Sequence, residues 1–229
     1  MSTLERWQQA QQAEGEYWNG LTQHEEGMRR VLDDNREIAT QVEAWLPAIP
    51  ERALEIGLGG LGVGTLGFLR KISTRIGIDP LPLPPLSCSD TLRTIVEELR
   101  KPVEFQTSAG EHTPFPDSSF DLVLCCNVLD HVQDPGIVLK EVYRILRPGG
   151  YFYLAVDVFS PAGLAKWKLW TRHRHKEEIL VRAHPHRFLY GALARLISQA
   201  GLQIKRRENQ SAFDKLFGRS HRLAILSQK

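Results

Sequence analysis

The stretch Leu54-Glu55-Ile56-Gly57-Leu58-Gly59-Gly60-Leu61-Gly62 joins an acidic residue at the end of a short apolar run to a dense cluster of glycines. Glycine lets a backbone approach a bound group with no β-carbon in the way. Gly57, Gly59 and Gly62 satisfy G-x-G-x-x-G, and Asp79 follows at roughly the ~20-residue distance at which a dinucleotide fold keeps its ribose-binding acid. A second reading starts earlier, with Glu55 closing a strand before Gly57 and Gly59. Asp79 serves both, because one carboxylate can accept two hydrogen bonds from a ribose diol. His131 is the candidate general base: an imidazole of near-neutral pKa suits removal of a proton from a hydroxyl or amine. The plainer reading of His131 is a helix-start histidine that packs or caps. Asp130 is the weaker candidate, suited to accepting hydrogen bonds at a helix start.

These residues need elements to position them. Residues 1–46 carry apolar positions at helical spacing and read as a helical preface. A β run at 52–56 ends in the glycine cluster, and the spacing from Val63 to Lys71 predicts a helix opening out of that loop, with unpaired amides at its start. Further strands are expected at 75–79, 103–107, 120–126 and 151–156, and helices at about 89–100, 135–146 and 189–200. Pro148-Gly149-Gly150 is read as a stop before the fifth strand. Residues 157–187 form an irregular insert. The strands expected at 202–209 and 222–226 are joined closely enough to form an antiparallel pair at the sheet edge. Alternating strands and helices imply a doubly wound sheet with its ligand beyond the carboxyl ends of the strands.

Five segments then occur in an order that resembles class I S-adenosylmethionine (SAM)-dependent methyltransferases, nearest the small-molecule branch called type 11. They are Leu54–Gly59, Gly77-Ile78-Asp79, Pro114–Asp121, Asn127–Val132 and Leu146–Gly150, followed by His184–Phe188. The resemblance covers about residues 50–226. It implies an α/β, doubly wound, Rossmann-like fold with a seven-stranded sheet, mostly parallel with an antiparallel edge strand, and helices on both faces. It implies SAM as cofactor and S-adenosylhomocysteine as product. By position, Glu55 matches the acid near the cofactor's amino group, and Gly57, Leu58 and Gly59 the loop under its methionine portion. Asp79 matches the ribose acid, Pro80, Leu81, Gly110 and Glu111 the adenine surroundings, and Asn127 the methyl-bearing end. The family's third glycine falls at Leu61, and Ala109 stands where the family usually has an adenine-binding Asp, so that either the affinity for SAM is reduced or Glu111 substitutes.

The chain divides, on this reading, into a helical cap at 1–46 and a SAM-binding methyltransferase domain at 47–229 whose insert, 157–187, lies on the substrate side. Tyr17, Trp18 and Trp167 are the candidate acceptor contacts. The insert carries Lys166, Lys168, Arg172, Arg174, Lys176, Arg182 and Arg187, which suit an acidic acceptor if they do not simply form a solvated face. Its histidines, His173, His175, His184 and His186, have no acidic or cysteine partner at ligand spacing, so no metal site is expected. The net charge of +2 gives no reason to expect nucleic acid. No apolar run is long enough for stable membrane insertion. Three cysteines without C-x-x-C spacing fit a reducing cytoplasm. Two other functions remain: a non-catalytic SAM-binding protein, and an NAD-dependent oxidoreductase, against which stands the lack of a Tyr-x-x-x-Lys proton-transfer set.

Overall fold

The computed structural model of the protein describes residues 3–173, 179–209 and 221–229. In chain order the elements are α1 (Thr3–Leu21), α2 (Glu25–Trp45), β1 (Arg52–Ile56), β2 (Thr74–Asp79), α3 (Asp90–Arg100), β3 (Glu104–Thr107), β4 (Phe120–Cys126), α4 (Pro135–Ile145), β5 (Leu146–Phe159), α5 (Pro161–His173), α6 (Ile179–Ala183), β6 (Phe188–Leu189), α7 (Tyr190–Gln199), β7 (Gln203–Arg207) and β8 (His221–Gln228). The sheet runs β3-β2-β1-β4-β5-β8-β7, with the two-residue β6 pairing alongside β5. All pairings are parallel except those of β8, which runs antiparallel to both β5 and β7. The reversed strand therefore lies one place in from the edge, and β7 closes the sheet outside it.

Strand alternation sorts the core onto two faces. Leu54, Ile56, Val123, Cys125, Phe152 and Leu154 point toward α4 and α7, where they meet Val138, Val142, Leu193 and Ile197. Ala53, Leu122, Leu124, Cys126, Tyr153 and Ala155 point the other way, against Ile38, Ala39 and Val42 of α2. Strands covered on both faces lose the polar alternation of a solvent-facing sheet, which is why 120–126 reads as an unbroken apolar run. Helix α4 starts where Asp134 accepts from the amides of Gly136 (2.8 Å) and Ile137 (3.1 Å), with Pro135 in the first turn.

Three local expectations are corrected. Residues 63–71 form a chain of turns and no helix. Gly62 and Gly64 take φ of +60° and +54°, outside the right-handed helical region, and the amides of Thr65 and Leu66 are spent on the Glu55 carboxylate. The fifth strand also begins earlier, at Leu146. Pro148-Gly149-Gly150 ends the helix but lies inside the strand as an irregularity, with Gly149 at φ +81° and a register shift opposite Phe120–Leu122. Within the insert, α5 and α6 replace the expected irregular chain. Among the described residues, no helix is long and apolar enough to cross a membrane.

Candidate active site

The strand order turns back between β1 and β4, the place where an open α/β sheet leaves a crevice. Pairing of Ile56 with both Ile78 and Cys125 brings the carboxyl ends of β1, β2 and β4 level. Above them lies a cavity of about 580 Å3, within the range of small-ligand sites. Every expected cofactor residue lines it: Glu55, Gly57, Leu58, Gly59, Asp79, Pro80, Leu81, Gly110, Glu111 and Asn127, with His131 at its wall.

The carboxylates are not idle. Asp79 Oδ2 accepts from the Gly59 amide at 3.0 Å and Oδ1 from the Leu81 amide at 2.9 Å, so the end of β2 holds the glycine loop in place. Burial is the main reason its carboxyl is pushed above the usual Asp range, against the pull of those two amides. Glu55 is almost fully buried, and its two oxygens accept from Thr65 N (2.9 Å) and Leu66 N (2.8 Å). Desolvation outweighs these bonds and raises it to about 7. Glu55 is thus foremost the anchor of the loop after β1, with only its remaining lone pairs turned to the cavity. Glu111 accepts from the amides of Gln133 (2.7 Å) and Asp134 (3.3 Å), tying the loop after β3 to the one after β4. Ala109, where an acid was expected by family resemblance, also lines the cavity.

Several glycines answer to packing inside the chain. Gly57, at φ +80°, faces Val128, and Gly59, at φ +65°, lies under the Trp18 indole, so a β-carbon at either would collide with those side chains. Gly62 abuts Leu83 and Arg100 and Leu61 is buried among Met28, Val63 and Leu92; neither is among the cavity-lining residues. Gly62 therefore completes the dinucleotide fingerprint in letters only.

Helix α1 supplies the roof. Trp7, Gln11, Glu14 and Trp18 lie on one helical face and all line the cavity, as do Tyr17 and, from α2, Val31, Asp34 and Asn35. The Arg6 guanidinium clamps α1 to the insert by donating to the carbonyls of Arg182 (2.6 Å), Val181 (2.9 Å) and His184 (3.3 Å), and Glu16 pairs with Arg182 at 2.6 Å. The sequence reading named Tyr17 and Trp18 but missed Trp7, Gln11, Glu14, Ile179, Ala183 and His184. The 4-3-4 spacing of the α1 set was available as a signal, yet its polar members look like a solvent face. Trp167 is corrected: it packs on Phe159 beneath the Arg187 guanidinium and is not among the cavity-lining residues. Arg182 and Arg187 are likewise engaged internally, while Lys166 and Lys168 are exposed. The side chains of Arg172 and His173, and Arg174, His175 and Lys176 altogether, lie outside the described residues.

His131 stands between two carboxylates, with Nδ1 2.9 Å from Glu14 Oε1 and Nε2 3.6 Å from Asp130 Oδ1. Burial disfavours its charge, but Asp130 and Glu14 overcome burial and raise it to about 9. Paired in this way the ring holds its proton more tightly than an ordinary imidazole, a shift that works against the role of general base expected at this position. Asp130 also meets His184, whose Nε2 is 3.6 Å from Oδ2. The expectation that the insert's histidines lack an acidic partner fails here, because residues distant in sequence converge.

Comparison with known proteins agrees with this architecture. A family model described as a methyltransferase domain matches residues 54–154. The ubiquinone biosynthesis O-methyltransferase of Aeromonas salmonicida is 32% identical over 160 residues, 68% of this chain and 64% of that protein. The uncharacterized methyltransferase YcgJ of Bacillus subtilis is 29% identical over 133 residues, 58% of this chain and 50% of that protein. The chain spans about half the length of the curated relatives it matches. Among solved structures, a putative methyltransferase of Haloferax volcanii in complex with the Trm112 methyltransferase activator matches with a TM-score of 0.65 at 19% identity, covering 92% of this chain and 96% of that one, a likeness of fold. Residues 54–154 thus belong to a methyltransferase-domain family, on a sheet that shares the fold of methyltransferases of known structure.

Proposed function

We propose that the chain is an enzyme that binds SAM in the cavity at the β1–β4 switch point and transfers its methyl group to a small-molecule acceptor. The observation that carries this reading is Asp79: a buried carboxylate at the end of β2, aimed by the Gly59 and Leu81 amides and bordering the cavity, with lone pairs left for a ribose diol. Pro80, Leu81, Gly110 and Glu111 would border the adenine, Gly57, Leu58 and Gly59 the methionine portion, and Glu55 and Asn127 its amino and methyl ends. The residues present fit the group: the cavity is lined from the ends of three strands, has the volume of a small-ligand site, and offers backbone beside glycines where the chain must come close.

SAM, when bound, supplies an electrophilic methyl on a sulfonium centre. The chain's task is then to align an acceptor with that methyl and to exclude water, and alignment alone can supply several kcal/mol of the acceleration. The helices of the cap and α6 of the insert would do both, with Tyr17 and Trp18 on the acceptor side. The acceptor atom is oxygen, nitrogen or carbon; the likeness to an O-methyltransferase of Aeromonas makes hydroxyl acceptors the first to try.

Thermal shift with SAM, S-adenosylhomocysteine and NAD tests the reading, since a ligand that binds only the native state at ~100 times its Kd adds about 2.7 kcal/mol. Both sulfur ligands should raise the melting temperature and NAD should not. A rise with NAD alone overturns the proposal, and a rise with SAM but no methylated product across acceptor classes supports the binding-protein reading instead.

A further inference from the structure

We propose that Asp130, His131 and His184 form a binding site for a divalent first-row transition-metal cation at the border of the cofactor cavity. One ligand atom from each lies within 4.8 Å of the others. Both imidazoles turn Nε2 toward the same carboxylate, 3.6 Å from its two oxygens, and their rings stand 4.2 Å apart. Ligands about 2.1 Å from a shared ion sit roughly 3.0–3.4 Å from one another at tetrahedral or octahedral angles, so small side-chain rotations close the set.

The geometry has the marks of a built site. Asp130 is 5% exposed, and its Oδ1, the oxygen facing His131, is buried without a hydrogen-bond partner. Only the His131 ring, 3.6 Å away, faces this oxygen, too far for a hydrogen bond, and a cation between the two would satisfy both. Behind His131, Glu14 Oε1 stands 2.9 Å from Nδ1, close enough for a small rotation to make the carboxylate–imidazole arrangement that orients metal-binding histidines. The two loops that carry the ligands are pinned together by His186, whose amide donates to the Asp130 carbonyl (3.1 Å) and whose Nε2 lies 2.9 Å from the Val132 carbonyl.

Three protein ligands leave coordination positions open. They face a recess of about 260 Å3 lined by Asn127, Asp157 and Arg222 as well as by the three ligands. Asp157 adds negative charge there, and the Arg222 guanidinium has a carboxylate of its own in Glu37 at 4.0 Å. Two imidazoles with one carboxylate favour Zn2+, Fe2+, Co2+ or Mn2+ over Mg2+, which prefers an all-oxygen shell. His131 and His184 also line the larger cavity, so an ion here would hold an oxygen-bearing acceptor near Asn127. That last consequence rests on the methyl-transfer reading; the metal site does not.

The test is titration of metal-stripped protein with Zn2+ by calorimetry and with Co2+ by visible absorption. The expected result is one Zn2+ per chain, undisplaced by excess Mg2+, and a Co2+ d–d band abolished by Zn2+. Asp130→Asn and His184→Ala should each weaken Zn2+ by about 100-fold or more, Glu14→Gln by about 10-fold, and His24→Ala, at an exposed position, not at all. Circular dichroism of the metal-free variants reports folding, and Glu14→Gln decides the matter where a ligand variant does not fold. Absence of saturable one-to-one binding, or wild-type affinity in the ligand variants, overturns the site. S-adenosylhomocysteine titration in the presence of EDTA keeps the cofactor reading separately testable.

Discussion

Glu55 shows how one residue can belong to a motif and still serve the fold first. Its two oxygens replace the helix-start hydrogen bonds that residues 63–71 never make, and its burial raises it to about 7 from an ordinary 4.5. A carboxyl whose folded pKa is raised gives its full stability below the unfolded value and loses it as pH rises through the folded one. Between pH 4.5 and about 7 this side chain should therefore withdraw stability on the order of 3 kcal/mol as it ionises. Glu55→Gln cannot titrate. Urea denaturation at pH 5 and pH 8 should show the variant losing less stability over that interval than the wild type; equal losses would mean that Glu55 ionises at its ordinary pKa. In the sequence Glu55 was visible as the motif acid. Its bond to Thr65 and Leu66 was not, because nothing in the letters distinguishes an amide offered to a ligand from one taken by a neighbouring carboxylate.

At the scale of elements, the site is a floor of strand ends under a roof of helices, and Arg6 is the clasp between roof pieces. Three carbonyls of residues 181, 182 and 184 receive its guanidinium, which burial alone pushes below the usual arginine range. Arg6→Ala removes charge-assisted bonds from α1 while leaving the sheet untouched. Hydrogen exchange should speed by at least tenfold across α1 and 179–184 and stay unchanged in β1, β4 and β5; uniform acceleration, or none, would deny α1 its role as a separately held roof. The floor was legible because each strand end carries its own local signal: Glu55 and glycines after β1, Asp79 at the end of β2, Asn127 after β4. The roof was not. Glu14 meets His131 and Arg6 meets 181–184 across more than a hundred residues, and a polar helical face pointed into a cavity has the same spelling as one pointed at water.

For the whole molecule, the order β3-β2-β1-β4-β5-β8-β7 explains why five short motifs scattered over a hundred residues act at one place. The alternation of strands and helices implied the doubly wound sheet, and the short connection between the last two strands the antiparallel pair at its end. It did not give the position of β8 inside β7, since a short antiparallel connection fixes that two strands pair and leaves open which of them meets β5. On the proposed reading this switch point holds a SAM-derived nucleoside through Asp79. Asn at that position keeps an acceptor for one of the two backbone amides, sets an NH2 against the other and loses the charge, so a variant shown by circular dichroism to be folded should lose its grip on a ribose diol. Calorimetric titration of S-adenosylhomocysteine into the wild type and Asp79→Asn, side by side, tests this most directly. One site per chain is expected in the wild type and at least a tenfold weaker Kd in the folded variant; no binding to the wild type, or equal affinity for both, would remove Asp79 from the site.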